Sequence, residues 1–258
     1  AGEESNPLFR GFGNQSSEEA LRYDKPVLVP MGVMEKTELA GGFPAAAEDL
    51  FGAYRCVILD DIEAEFFTRA QLELLERFVG MRWDSFLMLA GSESCQAGGW
   101  PHTPVARMLP VYLEGVAAGA PVEDARFKLT REGWLEPWIR LRSGEPEEEA
   151  RQKGMTAFYS VNPVAGIKPG ASVLATVTDP TRGELPAWVT QHYGAGRAAA
   201  VTVGDVWRWA LLNPESHADF DKAWRQFLRH LVVDVPDRTE IQAVADTETR
   251  GRMKVQVR

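Results

Sequence analysis

Apolar and polar positions fall into short, punctuated runs along this chain, and the runs predict alternating strands and helices. "KPVLVPMGV" sets apolar residues side by side between Pro26 and Gly32, the pattern of a buried strand. Residues 1–24 before it are polar and without period, a loop-rich lead-in. "GGFPAAAEDLFGAY" predicts a turn and a short helix, and "YRCVILDDI" a strand ending in Asp60 and Asp61. Thr68 and Gln71 form a T-x-x-Q capping box, after which Leu74, Leu75, Phe78 and Val79 recur at helical spacing. "SFLMLAG" is again continuous in apolar residues. Strand, helix and strand with short connections predict a parallel βαβ unit whose strands are covered on both faces.

The second half reads differently. "RMLPVYLEG" is extended, and residues 116–168 alternate short apolar patches with acidic turns, an irregular insertion or edge meander. Within it "GEPEEEARQKG" reads as a solvated loop or helix start. "ASVLATVTD" is a strand, and "AWVTQHYGAGRAAAVTVGD" is a β-hairpin around a Gly-Ala-Gly turn. Phe220, Trp224, Phe227, Leu228 and Leu231 line one face of a final helix, which Pro236 ends. "EIQAVAD" and "MKVQVR" alternate apolar and polar residues around a polar turn, like two half-exposed strands. We read one α/β domain over 1–236 and, over 237–258, a short β extension or the start of a further β module. There is no internal repeat.

Composition narrows the function. Of the 258 residues 45% are hydrophobic and 25% charged, an ordinary globular balance. The net charge of −9, with no basic cluster longer than "RLR", excludes a nucleic-acid stripe and a polybasic membrane patch. Two cysteines make no disulfide framework, and Cys56 reads as a small buried hydrophobe. No apolar run reaches the ~18 residues that span a bilayer. "AGEESNPLF" holds no charged-then-apolar leader, so no signal peptide is expected. The chain also starts without Met, as a processed piece would, and a missing part could hold a membrane anchor. The compartment stays open between cytosol and periplasm.

Four segments carry a resemblance: "YRCVILDDIEAEFFTRAQLELLERFVG", "FLMLAGSESCQAGGWPHTPVARMLPVYL", "YGAGRAAAVTVGDVWRWAL" and "DFDKAWRQFLRHLV". Together, over roughly residues 26–236, they resemble the class I glutamine amidotransferase-like domain found in bacterial membrane-associated proteins. The resemblance implies a flavodoxin-like three-layer sandwich with a mostly parallel central sheet and an antiparallel extension. It does not by itself imply glutaminase activity.

Amide hydrolysis of that type needs a cysteine on a sharp strand-to-helix turn, a histidine to activate it and a carboxylate to orient the histidine. Cys95 has Glu93 and Ala97 where G-x-C-x-G would have glycines, and it lies four residues beyond Gly91. Ser92 stands nearer the strand end, with no histidine evidently paired to it. The His-x-Glu of the family is absent, and "DVWRW" follows the late strand "AAAVTVG" instead. His102 is the candidate base for Cys95. His192 reads as an edge position, His230 as a cation at a helix end, and Ser216 and Asp219 as cap and first-turn acid.

Asp60, Asp61 and Asp205 sit at carboxyl ends of predicted strands, where α/β folds bind ligands, and with Ser92, Ser94 and Arg208 they could line a crevice. Asp205 could instead pair locally with Arg208. Trp100, Trp207 and Trp209 read as aromatic anchors over that edge, or as a patch for a partner. No metal-ligand spacing and no cofactor motif occurs, so neither is expected. The expectation is a domain without glutaminase chemistry that binds or scaffolds within a larger bacterial assembly, through a protein partner or neighbouring domains of a longer chain. The alternatives are an amide hydrolase using Cys95 or Ser92, and a sensor binding a small polar ligand at the sheet edge.

Overall fold

The computed structural model describes residues 43–91, 94–115, 122–180 and 182–233, and the strand backbones at 241–245 and 253–257. Chain contacts divide it into two units, Ala1–Phe43 and Pro44–Arg258. The strand expected in "KPVLVPMGV" lies outside the described residues, as do Ser92 and the turn after "SFLMLAG" that holds it.

The second unit begins with helix α1 (Ala47–Ala53), strand β1 (Cys56–Asp60) and a 3-10 turn (Ala64–Phe66). Helix α2 (Arg69–Met81) follows, and its start is built as the capping box predicts. The Gln71 N–H donates to Thr68 Oγ1 (3.3 Å) and the Thr68 N–H donates to Gln71 Oε1 (2.9 Å). Leu72, Leu74, Leu75, Phe78 and Val79 form its buried face. Strand β2 (Ser85–Leu89) then pairs parallel with β1, from Cys56 opposite Ser85 to Asp60 opposite Leu89.

Helix α3 (Pro104–Met108), strand β3 (Val111–Tyr112) and strand β4 (Arg126–Leu129) come next. Helices α4 (Arg131–Leu135) and α5 (Glu145–Lys153) and strand β5 (Gly166–Ile167) precede the long strands β6 (Ser172–Asp179), β7 (Gly183–Tyr193) and β8 (Gly196–Val201). The described chain closes with α6 (Arg208–Leu211), α7 (Pro214–Leu231) and an antiparallel pair, β9 (Ile241–Ala245) and β10 (Met253–Val257). Residues 116–168 therefore hold regular elements, among them β4, a member of the main sheet.

That sheet has six strands in the order β1-β2-β8-β7-β6-β4. Two of its pairings are parallel, β1–β2 and β2–β8, and three are antiparallel, β8–β7, β7–β6 and β6–β4. This corrects the expected flavodoxin-like sandwich with its mostly parallel sheet. The physical reason is connection length. Parallel neighbours need a long crossover, whereas β7 and β8 are joined by Gly194 and Ala195 alone, so they must run antiparallel. Gly194 has φ 58°, and a Cβ there would overlap the Gly80 carbonyl oxygen.

Helices cover both faces. Leu87, Ala199, Val201 and Trp188 point to the layer that holds Phe227 and Leu231 of α7. The alternate residues Phe86, Met88, Ala198 and Ala200 are also buried, beneath α2 and α3. On that face Tyr193 donates to Glu76 of α2 (2.6 Å), and the Gln191 amide donates to Met108 O at the end of α3 (2.7 Å).

Two polar readings of α5 and α7 also need correction. Asn213, not Ser216, caps α7: its side chain accepts from the Ser216 N–H at 2.8 Å. Asp219 is buried, and both its oxygens bind Arg142 at 2.7 and 2.9 Å. The run "EPEEEARQK" is helix α5, and Glu148 inside it is fully buried.

Candidate functional site

The parallel strands β1, β2 and β8 deliver their carboxyl ends to one edge, which gathers most of the residues expected to form a crevice. Asp60 ends β1 and Asp61 follows it, taking a left-handed backbone (φ 47°) with its carboxylate against the Cα of Gly91. Burial first, and the neighbouring Asp61 charge second, raise the Asp60 carboxyl. Beyond β2, the Ser94 hydroxyl folds back on Gly91, accepting from its N–H (2.7 Å) and donating to its carbonyl (3.2 Å). Ser94 is 1% exposed, so it closes the turn and does not line an open site.

Cys95 is next, also left-handed at φ 55°, but turns and no helix follow it as far as Gly99. It is 4% exposed. Burial pushes its thiol up to about 11, with the Asp61 charge adding to the rise and the Ser94 hydrogen bond opposing it. A nucleophilic thiol needs the opposite environment, one that favours the thiolate at neutral pH. His102, at φ 64°, makes no hydrogen bond or ion pair among the described residues, so the structure does not join it to Cys95 as a base. Cys56 is half-buried against the core, and burial followed by the Asp84 charge pushes it up to about 12.

These two thiols give a direct check. Near pH 7 a thiol held at about 11 is ionised about a hundredfold or more less than an ordinary cysteine. Iodoacetamide is therefore expected to label neither Cys56 nor Cys95 in the folded chain at a rate within about a hundredfold of free cysteine. Both should react at the ordinary rate in denaturant. Rapid native labelling confined to Cys95, read by mass spectrometry, would contradict the picture of a buried, protonated thiol.

At the end of β8, Asp205 holds a strap of chain formed by residues 158–162. Its carboxylate accepts from the N–H groups of Tyr159 (3.0 Å) and Ser160 (3.3 Å), and Arg208 Nε lies 3.6 Å away. The strap continues with Gly204 N–H to Ser160 O (2.9 Å), Asn162 N–H to Thr202 O (2.8 Å) and the Asn162 amide to Gly91 O (3.0 Å). Asp205 thus pairs locally with Arg208 and also fastens the strap across the ends of β2 and β8. Sequence reasoning did not single out Tyr159, Ser160 or Asn162. No short motif marks them, because they meet the edge only through the fold.

The three tryptophans divide. Trp100 is fully buried, its indole N–H donating to Ile62 O (2.8 Å), and it ties the loop after β2 to the loop after β1. Trp209 is 4% exposed and sits edge-on to Phe220 (5.7 Å) in the core. Trp207 is 48% exposed. The Arg208 guanidinium lies 5.8 Å from its ring and 4.9 Å from that of Tyr159, itself 46% exposed. Leu211 and Leu212 are exposed just beyond. No cluster of three metal-ligating side chains occurs among the described residues, and no described helix is long and apolar enough to cross a membrane.

Among known proteins, no family model and no curated protein matches the chain. Two solved structures, both of cytoplasmic proteins from Salmonella typhimurium, share its fold. Each is 18% identical over 74% of this chain and 76% of its own, with TM-scores of 0.58 and 0.55. A β-galactosidase from Rahnella is matched over a quarter of its length (25%) with 16% identity and a TM-score of 0.41, too weak a likeness to assign a fold. None of these ties the chain to the glutamine amidotransferases. With the mixed sheet, they replace the amidotransferase-like, flavodoxin-like description by the plainer one of an α/β protein.

Proposed function

We propose that this domain is a binding module without amide-hydrolysing chemistry, and that it docks a protein partner, or a neighbouring domain of a longer chain, on the rim formed by Tyr159, Trp207 and Arg208. The observation that carries this reading is the state of the carboxyl edge. There Ser94 is engaged on Gly91 and Asp205 on the strap, while two aromatic rings stand half in solvent around one guanidinium. Trp, Tyr and Arg are the side chains that dominate protein–protein binding energy, and rings already held against a cation lose little freedom when covered. Aromatic side chains this open, with Leu211 and Leu212 adjoining, suit a broad protein surface better than a small molecule, which needs a concave site.

Two measurements test it. Ammonia release from L-glutamine is expected to stay at background; turnover that vanishes in Cys95→Ala would refute the non-hydrolytic reading. For docking, a photo-crosslinking side chain is placed at position 207 and, as a control, at Glu132 in α4. In the cells that make the protein, a discrete cross-linked product is expected from position 207 alone, reduced about tenfold or more by Tyr159→Ala. No product, or the same product from both positions, would refute a partner on this rim.

A further inference from the structure

Arg208 opens helix α6 with two apolar side chains on its own face. Leu211 and Leu212 stand three and four residues on, and Leu212 keeps a helical backbone (φ −64°, ψ −50°), so all three lie along one side of the turn. Leu211 is 72% and Leu212 47% exposed. The rings of Tyr159 and Trp207 lie 4.9 and 5.8 Å from the guanidinium. The rim therefore has two parts, a cation beside two rings and an apolar ledge one helical turn away.

The fold leaves the hydrogen-bonding capacity of this cation unused. A guanidinium has five N–H donors and accepts nothing. Nε is buried and lies 3.6 Å from Asp205, beyond hydrogen-bond reach, and the Arg208 side chain makes no hydrogen bond among the described residues. The Asp205 oxygens accept instead from the N–H groups of Tyr159 (3.0 Å) and Ser160 (3.3 Å). Aromatic rings attract the charge of a guanidinium but do not take its in-plane N–H groups as a carboxylate does. The side chain is 41% exposed, so an acceptor from outside can reach it.

From this arrangement we infer that the partner docks through a side-chain carboxylate, an Asp or Glu seated on the Arg208 fork, with a large apolar side chain beside it on Leu211 and Leu212. The inference rests on the docking reading above and names the chemistry of what is docked. The planar fork matches a carboxylate in two parallel, charge-assisted hydrogen bonds, and rings that shut water out of the pair strengthen them. The Asp205 charge beside the guanidinium opposes a second negative charge, which favours a carboxylate over a doubly charged phosphoryl group. A chain-terminal carboxylate is captured in a nest of backbone N–H groups, and those of Tyr159 and Ser160 at this rim are occupied by Asp205.

The test uses the full chain with the photo-crosslinking side chain at position 207, in the cells that make it, and maps the attachment point on the product by mass spectrometry. Arg208→Gln is expected to lower the yield about tenfold or more, and Arg208→Lys, which keeps the charge without the fork, about threefold. Leu211→Ser, at an open position, should lower it several-fold without changing Tm. The partner's acidic residue nearest the attachment point is then changed to Lys. That change should lose the product with the wild-type arginine and regain most of it with Arg208→Glu. If Arg208→Glu does not fold, the acid is changed to Gln and combined with Arg208→Gln; the pair should then lose no more than either change alone. No product from position 207 ends the docking reading and this inference together. A product that persists undiminished in Arg208→Gln, additive losses or no rescue in the paired changes, or an attachment point beside a chain terminus or phosphorylated residue instead of an acid overturns the side-chain carboxylate and leaves the docking surface standing.

Discussion

Glu148→Ala is expected to lower the unfolding free energy by about 3–5 kcal/mol, a large part of what a domain of this kind possesses. Glu148 is fully buried, and each oxygen serves a different part of the chain. Oε2 accepts from the N–H groups of Leu141 (3.1 Å) and Arg142 (2.9 Å), fixing the loop before α5. Oε1 accepts from Arg151 Nε (3.0 Å) and from the Gln152 amide (3.4 Å). Alanine would leave two N–H groups without their acceptor and the Arg151 guanidinium, whose side chain is 7% exposed, without its counter-charge. Arg142, which grips Asp219 of α7, would lose its backbone anchor as well. Glu148→Gln keeps an acceptor for the loop and should cost clearly less. Urea unfolding followed by tryptophan fluorescence reads both variants. A loss below about 1 kcal/mol for the alanine variant would mean that water or rearranged backbone takes over the role of the carboxylate.

Nothing in "GEPEEEARQKG" announces this. A run of four glutamates within five residues reads as solvated, since charged side chains are almost never buried unless paired. The counter-charge, Arg151, is local, but the N–H groups that fill the other oxygen come from Leu141 and Arg142 in the loop before the helix, and the Asp219 that Arg142 binds is 77 residues further on. Local signals were legible for the opposite reason. The Thr68–Gln71 box, the Gly194–Ala195 turn and the stripe from Phe220 to Leu231 each involve residues close in sequence, so spacing alone exposes them. The direction of the sheet was legible in part. The hairpin was evident, but β4, a four-residue strand amid turns, carries no period long enough to betray its antiparallel place beside β6. The same holds for the candidate site. Chain position puts Asp60, Asp61 and Asp205 at strand ends, yet only the fold fastens the 158–162 strap to Asp205 and Gly91.

Phe227→Ala is expected to cost a comparable amount, about 3–5 kcal/mol, by a different mechanism. Phe227 is 1% exposed and sits among Trp138 (5.3 Å, stacked), Trp188 (5.4 Å, edge-on) and Trp224 (5.9 Å). Removing the ring takes away its burial and leaves a void that three large indoles, each fixed by other neighbours, can only partly close. Phe227→Leu, which refills most of the volume, should lose about 1–2 kcal/mol, so the pair separates cavity formation from loss of aromatic contact. Trp138 makes the consequence reach further. It stacks on Phe227 and also on His230, whose ring faces Arg197. With Phe227 gone, Trp138 loses the support on that side, and the imidazole loses its stacking platform. Near-UV circular dichroism of the alanine variant should therefore fall together with its stability. A variant that keeps the wild-type tryptophan signal, with a loss under about 1.5 kcal/mol, would show that the indoles close the gap and that His230 is aligned by Arg197 alone.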